Sequence, residues 1–96
     1  MKIKLTGVIV ENQDKALKFY TKILGFVKKT EIPVGNLKWI TLVSFEGPDN
    51  IELALEPNEN PTSKSFQQAL FEQGIPPTAF AVDDIQREYE RLKSWE

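Results

Sequence analysis

The stretch from Val8 to Phe26 constrains this chain more than any other. Val8, Ile9 and Val10 form an apolar run of strand type. Asn12 stands where a helix N-cap belongs. Ala16, Tyr20, Ile23 and Leu24 then fall on one helical face, with Leu17 and Phe19 widening it. Gly25 fits the left-handed position just past a helix end. A strand passing into a capped helix that stops on glycine is one supersecondary unit, and its helix must be buried on a sheet. A fainter copy returns 72 positions later. There Val82, Asp83 and Asp84 align with Val10, Glu11 and Asn12. Phe80 aligns with Val8, Tyr89 with Leu17 and Leu92 with Tyr20. Such self-similarity implies two like units, the second cut short.

Around this frame the rest of the chain reads as strands and turns. Residues 2–10 alternate and give the first strand. Residues 26–32 give a second, which Pro33 and Gly35 end in a turn. Residues 37–45 give a third, apolar at its centre on both faces and so covered on both. Residues 47–50 are a turn. Residues 51–55 give a fourth strand, with Ile51, Leu53 and Leu55 on one face and Glu52, Ala54 and Glu56 on the other. Residues 1–56 thus spell strand, helix, strand, strand, strand. Residues 57–76 are a linker with a helix, capped by Thr62 or Ser63 and stopped by Gly74, whose short apolar face holds Phe66, Ala69 and Leu70. Residues 77–96 open a second unit, with a fifth strand at 78–82 and a last helix from Asp84 to Trp95. Asp83 with Gln86 makes a capping-box pattern, and Ile85, Tyr89 and Leu92 a stripe for burial. The fold class is α+β: one βαβββ module plus an incomplete second module of strand and helix, in a single domain over residues 1–96.

Composition narrows function by exclusion. The chain has no histidine and no cysteine. That removes the commonest general base, the commonest transition-metal ligand and every thiolate site. A net charge of −2 supplies no basic face for nucleic acid. Lys15, Lys18 and Lys22 lie at helical spacing and read as a solvated face. No apolar run reaches the length of a membrane span and the N-terminus lacks a signal core, so the expected location is the cytoplasm.

The run Ala16-Leu17-Lys18-Phe19-Tyr20-Thr21-Lys22-Ile23-Leu24-Gly25-Phe26 resembles the first-helix motif of the vicinal oxygen chelate superfamily. That group contains glyoxalase I, extradiol dioxygenases and bleomycin- and fosfomycin-resistance proteins. The resemblance continues through Glu46-Gly47-Pro48 and Ile51-Glu52-Leu53 to Ala79-Phe80-Ala81-Val82-Asp83-Asp84. It implies two modules paired into a cupped sheet around a cleft. Here the second module lacks three strands, so a second copy of the chain is expected to supply the missing wall, giving a homodimer.

The resemblance also implies where ligands of a metal would stand. The first-strand position falls on Leu5, which binds no metal. The fourth-strand position falls on Glu52, which does. The position opening the second module falls on Pro77 or Thr78, and the last lies beyond Glu96. Glu56, Glu11 and Asp49 are the carboxylates that would have to join Glu52. No cofactor is therefore expected, with a divalent metal at Glu52 as the alternative. Glu52 is the candidate catalytic residue, for proton transfer in the glyoxalase manner, or a carboxylate wetted on a polar strand face. If the first strand follows the superfamily's register, Leu5, Gly7 and Ile9 share Glu52's side and line a binding wall, while Thr6, Val8 and Val10 face the helices. Gly7 admits close approach of a ligand, or marks a bulge. Trp39 is a stacking surface for a planar ligand, or a core residue. Phe19 and Tyr20 are assigned to the core. The expected function is small-molecule binding in a dimeric cleft. A metal-dependent lyase or dioxygenase using Glu52 and a truncated scaffold without ligand are the alternatives.

Overall fold

The computed structural model describes residues 1–48 and 50–94. Four strands, β1 (Leu5–Val10), β2 (Val27–Val34), β3 (Leu37–Val43) and β4 (Glu52–Pro57), form one sheet in the order β1-β4-β3-β2. β1 runs parallel to β4, and the other pairs are antiparallel. The mixed topology follows from α1 (Gln13–Lys18), which carries the chain across the sheet from β1 to the opposite edge.

Helix α1 begins as its sequence dictates. The Asn12 side chain accepts from the Lys15 N–H at 3.0 Å. The helix then widens into a π-turn over Phe19–Ile23, where the Leu24 N–H reaches the Phe19 carbonyl at 3.1 Å. The Thr21 hydroxyl donates to the Leu17 carbonyl at 2.7 Å inside this turn. Gly25, at φ 86°, ends it in the left-handed region. Gln13 ties the start of α1 to the sheet. Its amide donates to the Lys38 and Leu55 carbonyls at 2.7 and 2.9 Å and accepts from the Lys38 N–H at 3.1 Å.

The core lies between α1 and one face of the sheet. Val8, Val10, Ala16, Ile40, Leu42, Leu53 and Leu55 are its buried members, with Leu17, Tyr20 and Phe26 packed at its margin. Ala16 is small enough for the helix axis to sit close on the strands. Burial pushes the Tyr20 hydroxyl pKa above its ordinary value. Phe19, turned away, is exposed, so only Tyr20 of that pair joins the core margin.

The second half of the chain departs from expectation. Residues 78–82 form no strand. A strand exists only with a neighbour to complete its hydrogen bonds. This segment pairs with neither sheet edge. It docks Phe80 instead, whose ring lies 5.1 Å from Phe26 and 6.3 Å from Tyr20. Helix α2 (Pro61–Gln73) is capped by Asn60, one step before Pro61, rather than by Thr62 or Ser63. Helix α3 (Ile85–Lys93) is capped by Asp84 rather than Asp83. Its stripe is not buried: Ile85 is 75% exposed and Tyr89 57%. One bond from the Arg91 guanidinium to the Ile23 carbonyl, at 2.6 Å, holds α3 to the π-turn. Trp95, the expected end of this helix, lies outside the described residues.

Pro33 does not end β2. It pairs with Lys38 inside the strand, which the edge position permits because the ladder there demands no N–H. The turn is left to Gly35, at φ 63°, and Asn36.

Candidate functional site

One sheet face carries the core and α1; the other is left open, with α2 flanking only its β1 edge. Register decides which side chains look out from it. Leu5 is opposite Glu52, Gly7 opposite Ala54 and Ile9 opposite Glu56, so all six share the open face. Thr41 is opposite Ala54 and Trp39 opposite Ile32, so the same face continues across β3 to β2. Val8 and Val10 are buried on the α1 side. Leu5, Gly7, Ile9, Glu52 and Trp39, drawn from three strands, therefore stand on one surface.

Near the start of β1 and β4 this face carries a polar group. The Thr41 hydroxyl, wholly buried, donates to Glu52 Oε1 at 2.7 Å. Lys29 Nζ stands 3.8 Å from Glu52 Oε2. The side chain of Glu52 retains 19% of its exposure. Beside it Leu5 is 47% exposed, and farther along the same face Trp39 is 40% exposed, with Ile32 and Val34 beyond it on β2. Lys29 reaches Glu52 because the β2–β3 register slips between Lys28 and Thr30, a bulge that turns an extra side chain onto this face.

Sequence reasoning missed both partners of Glu52. A signal existed for Thr41, the lone hydroxyl in an otherwise apolar strand centre, since a buried hydroxyl must find a partner. No local signal marks the bulge at Lys29. The carboxylates proposed to join Glu52 do not converge with it. Glu56 stands over Gly7, and among the described residues no three carboxylates form a metal-binding group. Asp49 lies outside the described residues. The donor set on this chain is thus one carboxylate bonded to a hydroxyl and faced by an ammonium, which does not fit a divalent cation.

The free edge of β1 opens into a cleft of about 990 Å³ under α2. Gly7, Ile9 and Glu56 form its floor, and Phe66, Leu70 and Phe71 its wall. The Gln67 amide closes one end. It donates to the Ile9 carbonyl at 2.8 Å and accepts from the Asn58 amide at 3.0 Å. Among the described residues no helix is long and apolar enough to cross a membrane.

The chain resembles known proteins over nearly its whole length. The family profile described as Glyoxalase/Bleomycin resistance protein/Dioxygenase superfamily matches residues 2–95. The uncharacterized protein YurT of Bacillus subtilis (strain 168) is 54% identical over 93 residues, spanning 97% of this chain and 73% of that protein. The crystal structure of UcmS2 superposes with a TM-score of 0.78 at 25% identity, covering 98% of this chain and 74% of that one. TnmS3, described as an antibiotic binding protein from Streptomyces sp. CB03234, superposes with a TM-score of 0.67 at 21% identity, covering 99% of this chain and 70% of that one. With this match from end to end and a βαβββ module beneath it, the chain belongs to the glyoxalase/bleomycin resistance protein/dioxygenase superfamily.

Proposed function

We propose that this chain binds a small organic molecule on the open face of its sheet, in a cleft that a second copy closes, without a resident divalent metal. The observation that supports it most is the arrangement of that face. An ion pair, Glu52 with Lys29, shares that face with exposed Leu5 beside it and with exposed Trp39 and Ile32 farther along the strands. Such a surface suits an apolar or zwitterionic compound: the apolar side chains gain by leaving water, and the paired charges orient the ligand. Gly7 and Ile9 extend it toward the β1 edge. The antibiotic-binding description of TnmS3 agrees with this reading, although at 21% identity the likeness shares only the fold.

Catalysis through Glu52 is the competing reading. Its carboxylate is held by Thr41 and needs a substrate proton within reach to act as a base. One set of measurements separates the two. Metal content is determined after gentle purification, and melting temperature is followed against apolar and zwitterionic compounds. Turnover is assayed with hemithioacetal and catechol substrates. Binding raises the melting temperature, because a ligand specific to the native state stabilises it, and Trp39→Ala weakens the effect. Stoichiometric metal together with turnover abolished by Glu52→Gln would establish the enzyme reading instead.

A further inference from the structure

We propose that the cleft between β1 and α2 takes a primary ammonium carried on an apolar body, with the ammonium at the free edge of β1, between the Gly7 carbonyl and the Glu56 carboxylate. This rests on reading the chain as a small-molecule binder, and it names the chemistry accepted at one end of that surface.

The Gly7 backbone is not in the left-handed region that calls for glycine; among the described residues that conformation is taken by Gly25, Gly35, Gly47 and Gly74. Glycine here provides room. A Cβ at position 7 would lie 2.7 Å from Glu56 Oε2 and 2.8 Å from its carboxyl carbon. The Glu56 carboxylate thus lies across β1 on the bare face of Gly7, along the cleft floor.

The backbone adds a second acceptor. The Lys4 carbonyl accepts from the Glu52 N–H at 2.9 Å, and the Val10 carbonyl from the Asn58 N–H at 3.2 Å, so the even-numbered residues of this strand point toward β4. Alternation turns the carbonyls of Leu5, Gly7 and Ile9 to the free edge. Gln67 takes the Ile9 carbonyl at 2.8 Å. The Gly7 carbonyl faces the cleft, and Glu56 makes no hydrogen bond or ion pair among the described residues.

Opposite this pair of acceptors the wall is apolar. Phe66, Leu70, Phe71 and Ile75 line it, and Phe66 and Phe71 are 55% and 86% exposed. The Gln67 amide is oriented by a bond at each end, to the Ile9 carbonyl and from the Asn58 amide. A site with a carboxylate, a carbonyl and aromatic walls selects a donor-rich cation with an apolar body. It disfavours an anion by charge, and ranks a neutral alcohol below the amine because the charge-assisted hydrogen bond to the carboxylate is the stronger one.

The test compares phenylbutylamine, phenylbutanol and phenylbutanoate, which share one apolar body, by calorimetric titration and amide chemical shifts on the full chain. The amine binds about tenfold more tightly than the alcohol, and the acid most weakly. Glu56→Gln brings the amine to the level of the alcohol and leaves the alcohol unchanged, which also shows that the variant cleft is intact. Gly7→Ala crowds the carboxylate aside and weakens the amine selectively. Equal binding of amine and alcohol, or an amine indifferent to Glu56→Gln, overturns the ammonium site while small-molecule binding stands. Binding of other compounds on the open face, with none of these three bound, has the same result. If no compound of any class binds, both readings fall together.

Discussion

The Thr41 hydroxyl and the Glu52 carboxylate meet across β3 and β4 at 2.7 Å, on the open face of the sheet. Thr41 has no exposed surface, so its hydroxyl has no alternative partner in water. Glu52 keeps some contact with solvent and with Lys29. The cost of breaking the bond therefore depends on which partner is changed.

Thr41→Val removes the donor and leaves the carboxylate short of a partner, which costs about 1–3 kcal/mol. Thr41→Ser keeps the hydroxyl and loses only a methyl group. Glu52→Gln retains an acceptor for Thr41 and loses less than Thr41→Val. Urea titration of the three variants gives the order. Thr41→Val as stable as the unaltered chain would mean that this bond contributes nothing to folding.

Stability is unevenly distributed along the chain. Ile40 and Leu42 on β3, with Leu53 and Leu55 on β4, fill the core. Gln67 ties helix α2 to β1, Arg91 ties α3 to the π-turn, and Phe80 anchors the segment that precedes α3. Native-state hydrogen exchange will find the amides of β3 and β4 exchanging only by global unfolding, and those of α2 and α3 by local opening. Gln67→Ala accelerates α2 and leaves β3 unchanged. Leu42→Ala lowers the slowest class by about 2–5 kcal/mol. Uniform protection across all helices and strands would contradict this partition.

The parts of the fold legible in the sequence are those set by neighbours along the chain. Asn12 and Gly25 mark the ends of the first helical segment because cap chemistry is local. Alternation in β4 separates Leu53 and Leu55 from Glu52 and Glu56 because the strand period is two. The illegible parts depend on who sits alongside. Pro33 reads as a stop, yet β2 continues through it because β2 is an edge. Residues 78–82 read as a strand, yet they find no ladder. Glu52 was identifiable as a carboxylate on the open face; its partners Thr41 and Lys29 were not, since one comes from a neighbouring strand and the other from a register slip.

Surface charge sets a pH dependence. Glu31 accepts from Lys28 at 2.7 Å and from Lys38 at 3.1 Å, and these bonds hold its pKa below the ordinary 4.5. A depressed carboxylate pKa contributes stability above the ordinary value, and that contribution is lost as pH falls through the folded-state pKa. The bond from Lys38 to Glu31, with a second to Asp14 at 3.1 Å, raises the Lys38 pKa above 10.5, so that contribution is lost only on the alkaline side. The melting temperature of Glu31→Gln therefore lies below that of the unaltered chain near neutral pH. The gap closes as pH drops below 4.5, and it narrows in high salt because the pairs are exposed. A gap constant across the acid range would exclude these pairs as its source.

The open face supplies the last prediction. Ile32 and Val34 on β2 are 53% and 61% exposed, beside Trp39 and opposite the edge where Leu5 stands. On an isolated chain, Ile32→Glu places a charge in water and changes folding stability by only about 0.5 kcal/mol. If a second copy covers this face, the same carboxylate must be buried without a partner, and association fails. Light scattering on a sizing column separates the cases. The unaltered chain elutes at twice its 11.0 kDa mass and Ile32→Glu at the single mass. Lys18→Glu, on the exposed side of α1, behaves as the unaltered chain. An unaltered chain at the single mass would remove the second copy from the binding site. A dimeric Ile32→Glu would move the interface off this face and leave the surface around Glu52 open to ligand from a single chain.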